Sequence, residues 1–120
     1  MKTIFFSLII MFIFLSMSIN LKGQADTKGN ITQEFKVSGN CQQCKERIEN
    51  AALIKGVKFA EWNKETDMLK VVFNPSKTNR DAIEQSIANA GHDTENHKAT
   101  DEAYKKLPEC CAYRDGVEKH

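Results

Sequence analysis

Prolines, glycine-rich loops and clusters of basic residues are all scarce in this chain of 120 residues. No run of Lys and Arg and no basic face is present, so the composition does not favour a nucleic-acid-binding protein. No Ser/His/Asp set, no paired carboxylates placed for acid–base chemistry and no glycine loop suited to a phosphate stands out. We therefore predict that the chain is not an enzyme.

The longest hydrophobic run lies at the N-terminus, where residues 4–15 read IFFSLIIMFIFL after the basic Lys2. A transmembrane helix needs about 20 mainly apolar residues, whereas this shorter run suits the core of a secretory signal. Small residues near Ala25 suit signal peptidase, so we predict that residues 1–25 are a signal peptide. The mature chain is then periplasmic or secreted, with no membrane attachment; an uncleaved N-terminal anchor is the alternative.

All four cysteines lie in the predicted mature chain. Removing 25 of the 120 residues leaves 95, enough for one compact domain and a tail. Exported proteins usually oxidise their cysteines to disulfides. Cys41 and Cys44 lie within one helical turn, and Cys110 and Cys111 are adjacent. A disulfide within each pair would close only a very short loop and would therefore stabilise the fold little. Metal binding or redox chemistry explains this spacing better.

The pair Cys41-Gln42-Gln43-Cys44 stands where a strand pattern, residues 31–37, gives way to a helical pattern. Two thiols three residues apart at a helix start can converge on one soft cation. The first turn of a helix also offers unpaired N–H groups and about half a positive charge, which stabilises the thiolates that bind metal. Cys41 and Cys44 are therefore the predicted primary ligands.

Hydrophobic periodicity predicts the element order βαββαβ. Strands are predicted at residues 31–37, 57–63, 68–73 and, as a polar edge strand, 92–98, and helices at residues 42–54 and 79–90. Two helices on one face of a four-stranded antiparallel sheet form a ferredoxin-like α+β sandwich. A C-terminal tail follows, with a short helix predicted at residues 101–107.

Residues 31–98 resemble the heavy-metal-associated domain, the fold of copper chaperones, periplasmic mercury-binding proteins and the N-terminal modules of metal-pumping ATPases. The matching motifs are Cys41-x-x-Cys44, Ile48-Glu49-x-Ala51, Gly56-Val57, Val71-x-Phe73-Asn74-Pro75, Ile83 with Ile87, and Ala90-Gly91. The resemblance implies a soft metal ion as cargo, copper(I) first, with mercury(II), zinc or cadmium as alternatives. It also implies a partner such as a metal-transporting ATPase or another metal-handling protein. Residues 26–30, a loose segment, and the tail, residues 99–120, lie outside it.

Three further residues are candidate ligands. In the resembling fold the loop that holds His92 faces the cysteines, so His92 is expected to be a third ligand or a hydrogen-bonding neighbour, unless it is a solvated loop histidine. Cys110 and Cys111 either join the first two cysteines or stay free or oxidised while Tyr104, Leu107 and Tyr113 pin the tail. A tetrahedral thiolate site suits zinc or cadmium, whereas two or three thiolates suit copper(I) or mercury(II).

On the expected exposed loop, an ion with few ligands can be handed on quickly, because a partner's thiolates add before the first ones leave. The rival class is a thiol–disulfide oxidoreductase, since C-x-x-C at a helix start also marks thioredoxin-like enzymes. The Gln42-Gln43 interior disfavours it, and neither Pro75 nor Pro108 is placed for the cis-proline loop of that fold. A structural domain with incidental cysteines is the third class.

Overall fold

The computed structural model describes residues 29–119. Its regular elements, in chain order, are β1 (Ile31–Lys36), α1 (Gln42–Ala52), β2 (Val57–Trp62), β3 (Met68–Phe73), α2 (Arg80–Asn89) and α3 (Asp101–Lys105). Two short 3₁₀ turns, Glu109–Cys111 and Tyr113–Asp115, follow in the tail. The predicted signal peptide, residues 1–25, lies outside the described residues. Across residues 29–119 no helix is long and apolar enough to cross a membrane.

The sheet is antiparallel, and β3 is its central strand in the order β1-β3-β2. β1 pairs with β3 along its whole length, from Ile31 opposite Phe73 to Lys36 opposite Met68. β2 pairs with the other side of β3, with one irregularity in register near its start. Side chains alternate between the faces of a strand, so one face of each strand enters the core.

The α+β class is confirmed, but the four-stranded sheet is not, because residues 29–119 form three strands. The predicted strand at residues 92–98 is reduced to one antiparallel bridge between Val37 and Thr94. The Thr94 N–H donates instead to the His97 carbonyl at 2.8 Å, which turns the chain back on itself. The Glu95 carboxylate accepts the Lys36 N–H at 2.8 Å. A backbone turn and a side-chain hydrogen bond thus occupy backbone groups that a fourth ladder would use.

Both long helices bury their apolar sides in one core against the sheet. The fully or nearly buried side chains of this core are Phe35, Val37, Cys41, Cys44, Ile48, Ala52, Trp62, Leu69, Val71, Phe73, Ile83, Ile87 and Cys111. Each large apolar side chain buried here contributes about 1.5–3 kcal/mol to folding. A cysteine of the tail is therefore part of the same core as the predicted domain.

Local signals set the helix ends. The side chain of Asn79 caps α2 by accepting the Ala82 N–H at 2.8 Å. After α2, Gly91 adopts a positive φ of 107°, and a Cβ atom there would lie 2.9 Å from the Ala103 carbonyl and from Leu107. Glycine at this position lets the tail helix α3 pack directly on the end of α2.

Candidate metal centre

Cys41 and Cys44 lie at the start of α1, as predicted. Cys41 is the residue before the first helical turn and has an extended backbone, and Cys44 lies within that turn. Their sulfur atoms are 3.4 Å apart. A Cβ atom on Gly39 would approach the side chains of Cys44, Ile48 and Trp62 to 3.1 Å. Glycine at residue 39 therefore lets the loop pack closely over α1, because a larger residue would require these neighbours to shift by a few tenths of an ångström.

The tail brings both of its cysteines to this pair. The Cys41 sulfur is 3.2 Å from that of Cys110 and 3.5 Å from that of Cys111. Cys44 and Cys111 are joined by a disulfide, with their Cα atoms 5.8 Å apart. This bridge is neither of the two local pairs considered from the sequence, and it closes a long segment of chain.

Three of the sulfurs form the tightest group. The sulfurs of Cys41, Cys44 and Cys111 all lie within 4.8 Å of one another, and all three residues are buried. Cys110 is partly exposed and lies at the side of this group, in an open cleft that Gln42, Gln43 and Lys64 also line. Its sulfur is 4.0 Å from that of Cys111. Among the described residues, this is the group with the donor atoms to hold a soft metal ion.

The expectation of an exposed metal loop is wrong. Cys41 is 3% exposed and Cys44 is fully buried. The physical reason is the 3₁₀ turn Glu109–Cys111, which packs its buried Cys111 onto the start of α1. Within residues 29–119, the side occupied by Cys110 is open to solvent.

The crowding of sulfurs has an electrostatic consequence. The hydrogen bond shared with Cys41 raises the pKa of the Cys110 thiol above its usual value, and repulsion from Cys41 acts in the same direction. Neighbouring thiolates repel one another, so they do not all ionise unless a cation compensates. A bound metal ion would supply that positive charge.

His92 is buried and is not a member of the sulfur group. Its Nδ1 lies 2.8 Å from the Ser38 carbonyl oxygen, which can only accept, so Nδ1 carries the proton. Burial lowers the pKa of His92 to about 4, so the ring is neutral at pH 7. His92 therefore holds the loop that leads to Cys41, and the expectation of a solvated histidine is wrong because Tyr113 stacks on its ring.

A clamp formed by Tyr113 and Arg114 holds the tail. Tyr113 is one of the residues expected from the sequence to pin the tail, whereas the part played by Arg114 was missed. The Tyr113 hydroxyl donates to the Gly91 carbonyl at 2.7 Å and accepts the Asp93 N–H at 2.9 Å. The Arg114 guanidinium donates to the Asp93 carboxylate at 2.6 and 3.1 Å and to the Ala99 carbonyl at 2.7 Å. Burial opposes ionisation of Asp93, but its hydrogen bonds with Arg114 outweigh this and lower its pKa. The tail is thus docked by contacts that do not involve cysteine.

The side chain of Lys45 contacts α1 and the end of β2. Its ammonium group pairs with Glu49 one turn later and donates to the Trp62 carbonyl at 3.0 Å. The Glu49 carboxylate also accepts the Trp62 N–H at 2.8 Å. Together these contacts tie α1 to the end of β2 and so fix the helix that carries Cys44.

No family model and no curated protein matches the chain. Solved structures do match. The CopZ metallochaperone is 29% identical over 53% of this chain and 98% of its own, with a TM-score of 0.52. The copper binding domain from HMA7, a P-type ATPase, is 27% identical over 53% of this chain and 89% of its own, with a TM-score of 0.52.

A third match is the N-terminal domain of a potential copper-translocating P-type ATPase from Bacillus subtilis in its Cu(I)-loaded state. It is 25% identical over 54% of this chain and 84% of its own, with a TM-score of 0.52. The resemblance to heavy-metal-associated domains is confirmed by these structures. It covers about half of the chain.

Proposed function

We propose that the mature chain is an exported protein that binds a soft metal ion through Cys41 and Cys44, and that copper(I) is its first cargo. Mercury(II), zinc and cadmium are the alternative ions. The protein sequesters the ion or passes it to another metal-handling protein, such as a metal-transporting ATPase. It acts as a binding protein and not as an enzyme.

One observation carries this proposal. Two cysteine sulfurs lie 3.4 Å apart at the opening turn of a helix, in a domain similar to CopZ and to copper-binding ATPase domains. Thiolates are ligands that select copper(I) and other soft ions, and the helix start favours their ionised form. The disulfide between Cys44 and Cys111 is compatible with an oxidising, exported setting.

Transfer by ligand exchange would use the open side of the site. The cleft beside Cys41 is lined by Gln42, Gln43, Lys64 and Cys110, and it is open to solvent, so an incoming thiolate could approach from this side. A partner's sulfur entering there can add to the ion before an original ligand leaves. The two ATPase domains among the similar structures support a metal transporter as the partner class.

The redox alternative is less well supported. A thioredoxin-like enzyme cycles a bond between the two cysteines of its C-x-x-C motif, whereas here the bond joins Cys44 to Cys111. We expect no catalysed reduction of insulin by dithiothreitol in the presence of this protein. Clear turnover in that assay would favour the oxidoreductase.

The test is an anaerobic titration of the reduced protein, residues 26–120, with copper(I), zinc and mercury(II) against a competing chelator. We expect Cys41→Ser/Cys44→Ser to abolish chelator-resistant binding of the preferred ion. Lys58→Ala, a substitution on β2 away from the sulfurs, is the control and should bind as the wild type does. Equal binding by the double-serine variant and the wild type would refute the proposal. Mass spectrometry of the exported chain tests cleavage after Ala25.

A further inference from the structure

We propose that the tail supplies Cys111 as a third sulfur ligand, so that the reduced protein holds its ion in a buried site formed by Cys41, Cys44 and Cys111. This inference rests on the proposed function, because it concerns the same ion. It changes the expected chemistry from an open two-cysteine loop to a closed three-sulfur centre.

The distances between the sulfurs favour a site with three sulfur ligands. With a metal–sulfur bond of about 2.3 Å, two sulfurs on a linear ion lie about 4.6 Å apart and those on a trigonal ion about 4.0 Å apart. The Cys41 sulfur lies 3.4 Å from that of Cys44 and 3.5 Å from that of Cys111. The Cys41 sulfur therefore needs only small movements to reach trigonal spacing, and once the disulfide is reduced the Cys44 and Cys111 sulfurs must separate to the same spacing.

The position of the tail does not depend on the disulfide. Tyr113 and Arg114 fasten it to the backbone of Gly91 and Ala99 and to the Asp93 carboxylate. Leu107 packs against the core as well. Reduction therefore leaves Cys111 facing Cys44, where its freed thiol is available to a metal ion.

The three-sulfur centre forms in two steps, reduction of the disulfide and binding of copper(I). A dithiol reductant exchanges with the Cys44–Cys111 disulfide, so that the reductant becomes a disulfide and both cysteines become thiols. One copper(I) ion then replaces three thiol protons, which are released, and forms three copper–sulfur bonds. The resulting centre carries two negative charges, which the positive end of α1 partly offsets.

Cys110 provides a matched control. It is the neighbour of Cys111 and has the same chemistry, and its sulfur lies 3.2 Å from that of Cys41. It differs in being partly exposed at the mouth of the cleft, whereas Cys41, Cys44 and Cys111 form a buried group. If three buried sulfurs hold the ion, Cys110→Ser leaves the ligand set intact. Cys111→Ser removes one ligand.

The experiment compares wild type, Cys110→Ser, Cys111→Ser and Cys41→Ser/Cys44→Ser, all reduced and anaerobic, by copper(I) competition titration and X-ray absorption. We expect three sulfurs per copper in the wild type and in Cys110→Ser. Cys111→Ser should show two and an affinity lower by at least about 10-fold, the loss seen even for contacts beyond the ligands. An unchanged sulfur number in Cys111→Ser, or an equal loss in Cys110→Ser, overturns the inference. Unchanged binding in the double variant would instead refute the proposed function.

A measurement on the wild type covers the case in which Cys111→Ser does not fold. The copper-loaded protein is treated with iodoacetamide and the modified cysteines are identified by mass spectrometry. We expect rapid alkylation of Cys110 and protection of Cys41, Cys44 and Cys111, with protection lost when copper is removed by a chelator under reducing conditions. Alkylation of Cys111 as fast as Cys110 in the loaded protein would contradict the inference.

Discussion

Reducing the bond between Cys44 and Cys111 should lower the stability of the metal-free protein by several kcal/mol. The bond joins residues separated by 67 positions in the chain. In the chain-entropy description, closing a loop of that length restricts the unfolded state by about 4 kcal/mol. The buried position of Cys111 and the clamp around Tyr113 mean that the folded tail does not have to move when the bond forms.

The assay is urea unfolding of metal-free wild type, Cys111→Ser and Cys110→Ser, with and without dithiothreitol. For a slope of about 1–3 kcal/mol per molar urea, a loss of about 4 kcal/mol lowers the midpoint by at least about 1 M. We expect this shift for oxidised Cys111→Ser and for reduced wild type, but not for oxidised Cys110→Ser. Equal urea midpoints for oxidised wild type and oxidised Cys111→Ser would refute the stabilising role of the disulfide. An equally large drop in the midpoint of oxidised Cys110→Ser would refute it as well.

Three further expectations concern the loops and caps around the site. Because burial lowers the pKa of His92 from 6.5 to about 4, protons bind the unfolded state first as pH falls, and stability that is present above pH 6.5 is lost towards pH 4. The free energy of unfolding of wild type should therefore fall between pH 7 and about pH 4.5, and at roughly 1.4 kcal/mol per pH unit the fall should exceed that of His92→Asn by about 2.5 kcal/mol. Equal falls in the two proteins would refute the lowered pKa of His92. Gly39→Ala should destabilise the fold by about 1–3 kcal/mol in urea unfolding through overpacking, and an unchanged midpoint would show that its neighbours yield easily. Asn79→Ala should cost about 1 kcal/mol in the same assay while Asn79→Ser costs little, and equal costs would argue against the cap.

The burial of the metal loop changes how transfer should be tested. Cys41, Cys44 and Cys111 are covered, so in the transfer that we propose a partner would reach the ion from the side of Cys110 or after the tail moves. Substitutions of Tyr113 and Arg114 would then change the rate of transfer as well as stability.

Residues close together in the chain were enough to predict the sulfur pair and the elements around it. Cys41 and Cys44 are three residues apart at a helix start, so local helical geometry alone brings their sulfurs together. The periodic spacing of apolar residues likewise predicted β1, α1, β3 and α2, because that spacing follows the face of each element that packs against the core. The resemblance to heavy-metal-associated domains followed from the same local motifs.

Contacts between distant residues decided the rest. The fourth strand failed because the Glu95 carboxylate accepts the N–H of Lys36, 59 residues away, and the Thr94 N–H donates to the nearby His97 carbonyl instead of to a strand partner. The position of Cys111 depends on a clamp whose partners lie about 20 residues away in sequence, such as Tyr113 with Gly91. The spacing of residues in the sequence does not show whether the tail docks on the domain, because a docked tail and an extended tail can have the same local pattern. Only the folded packing brings the third and fourth sulfurs to the first two.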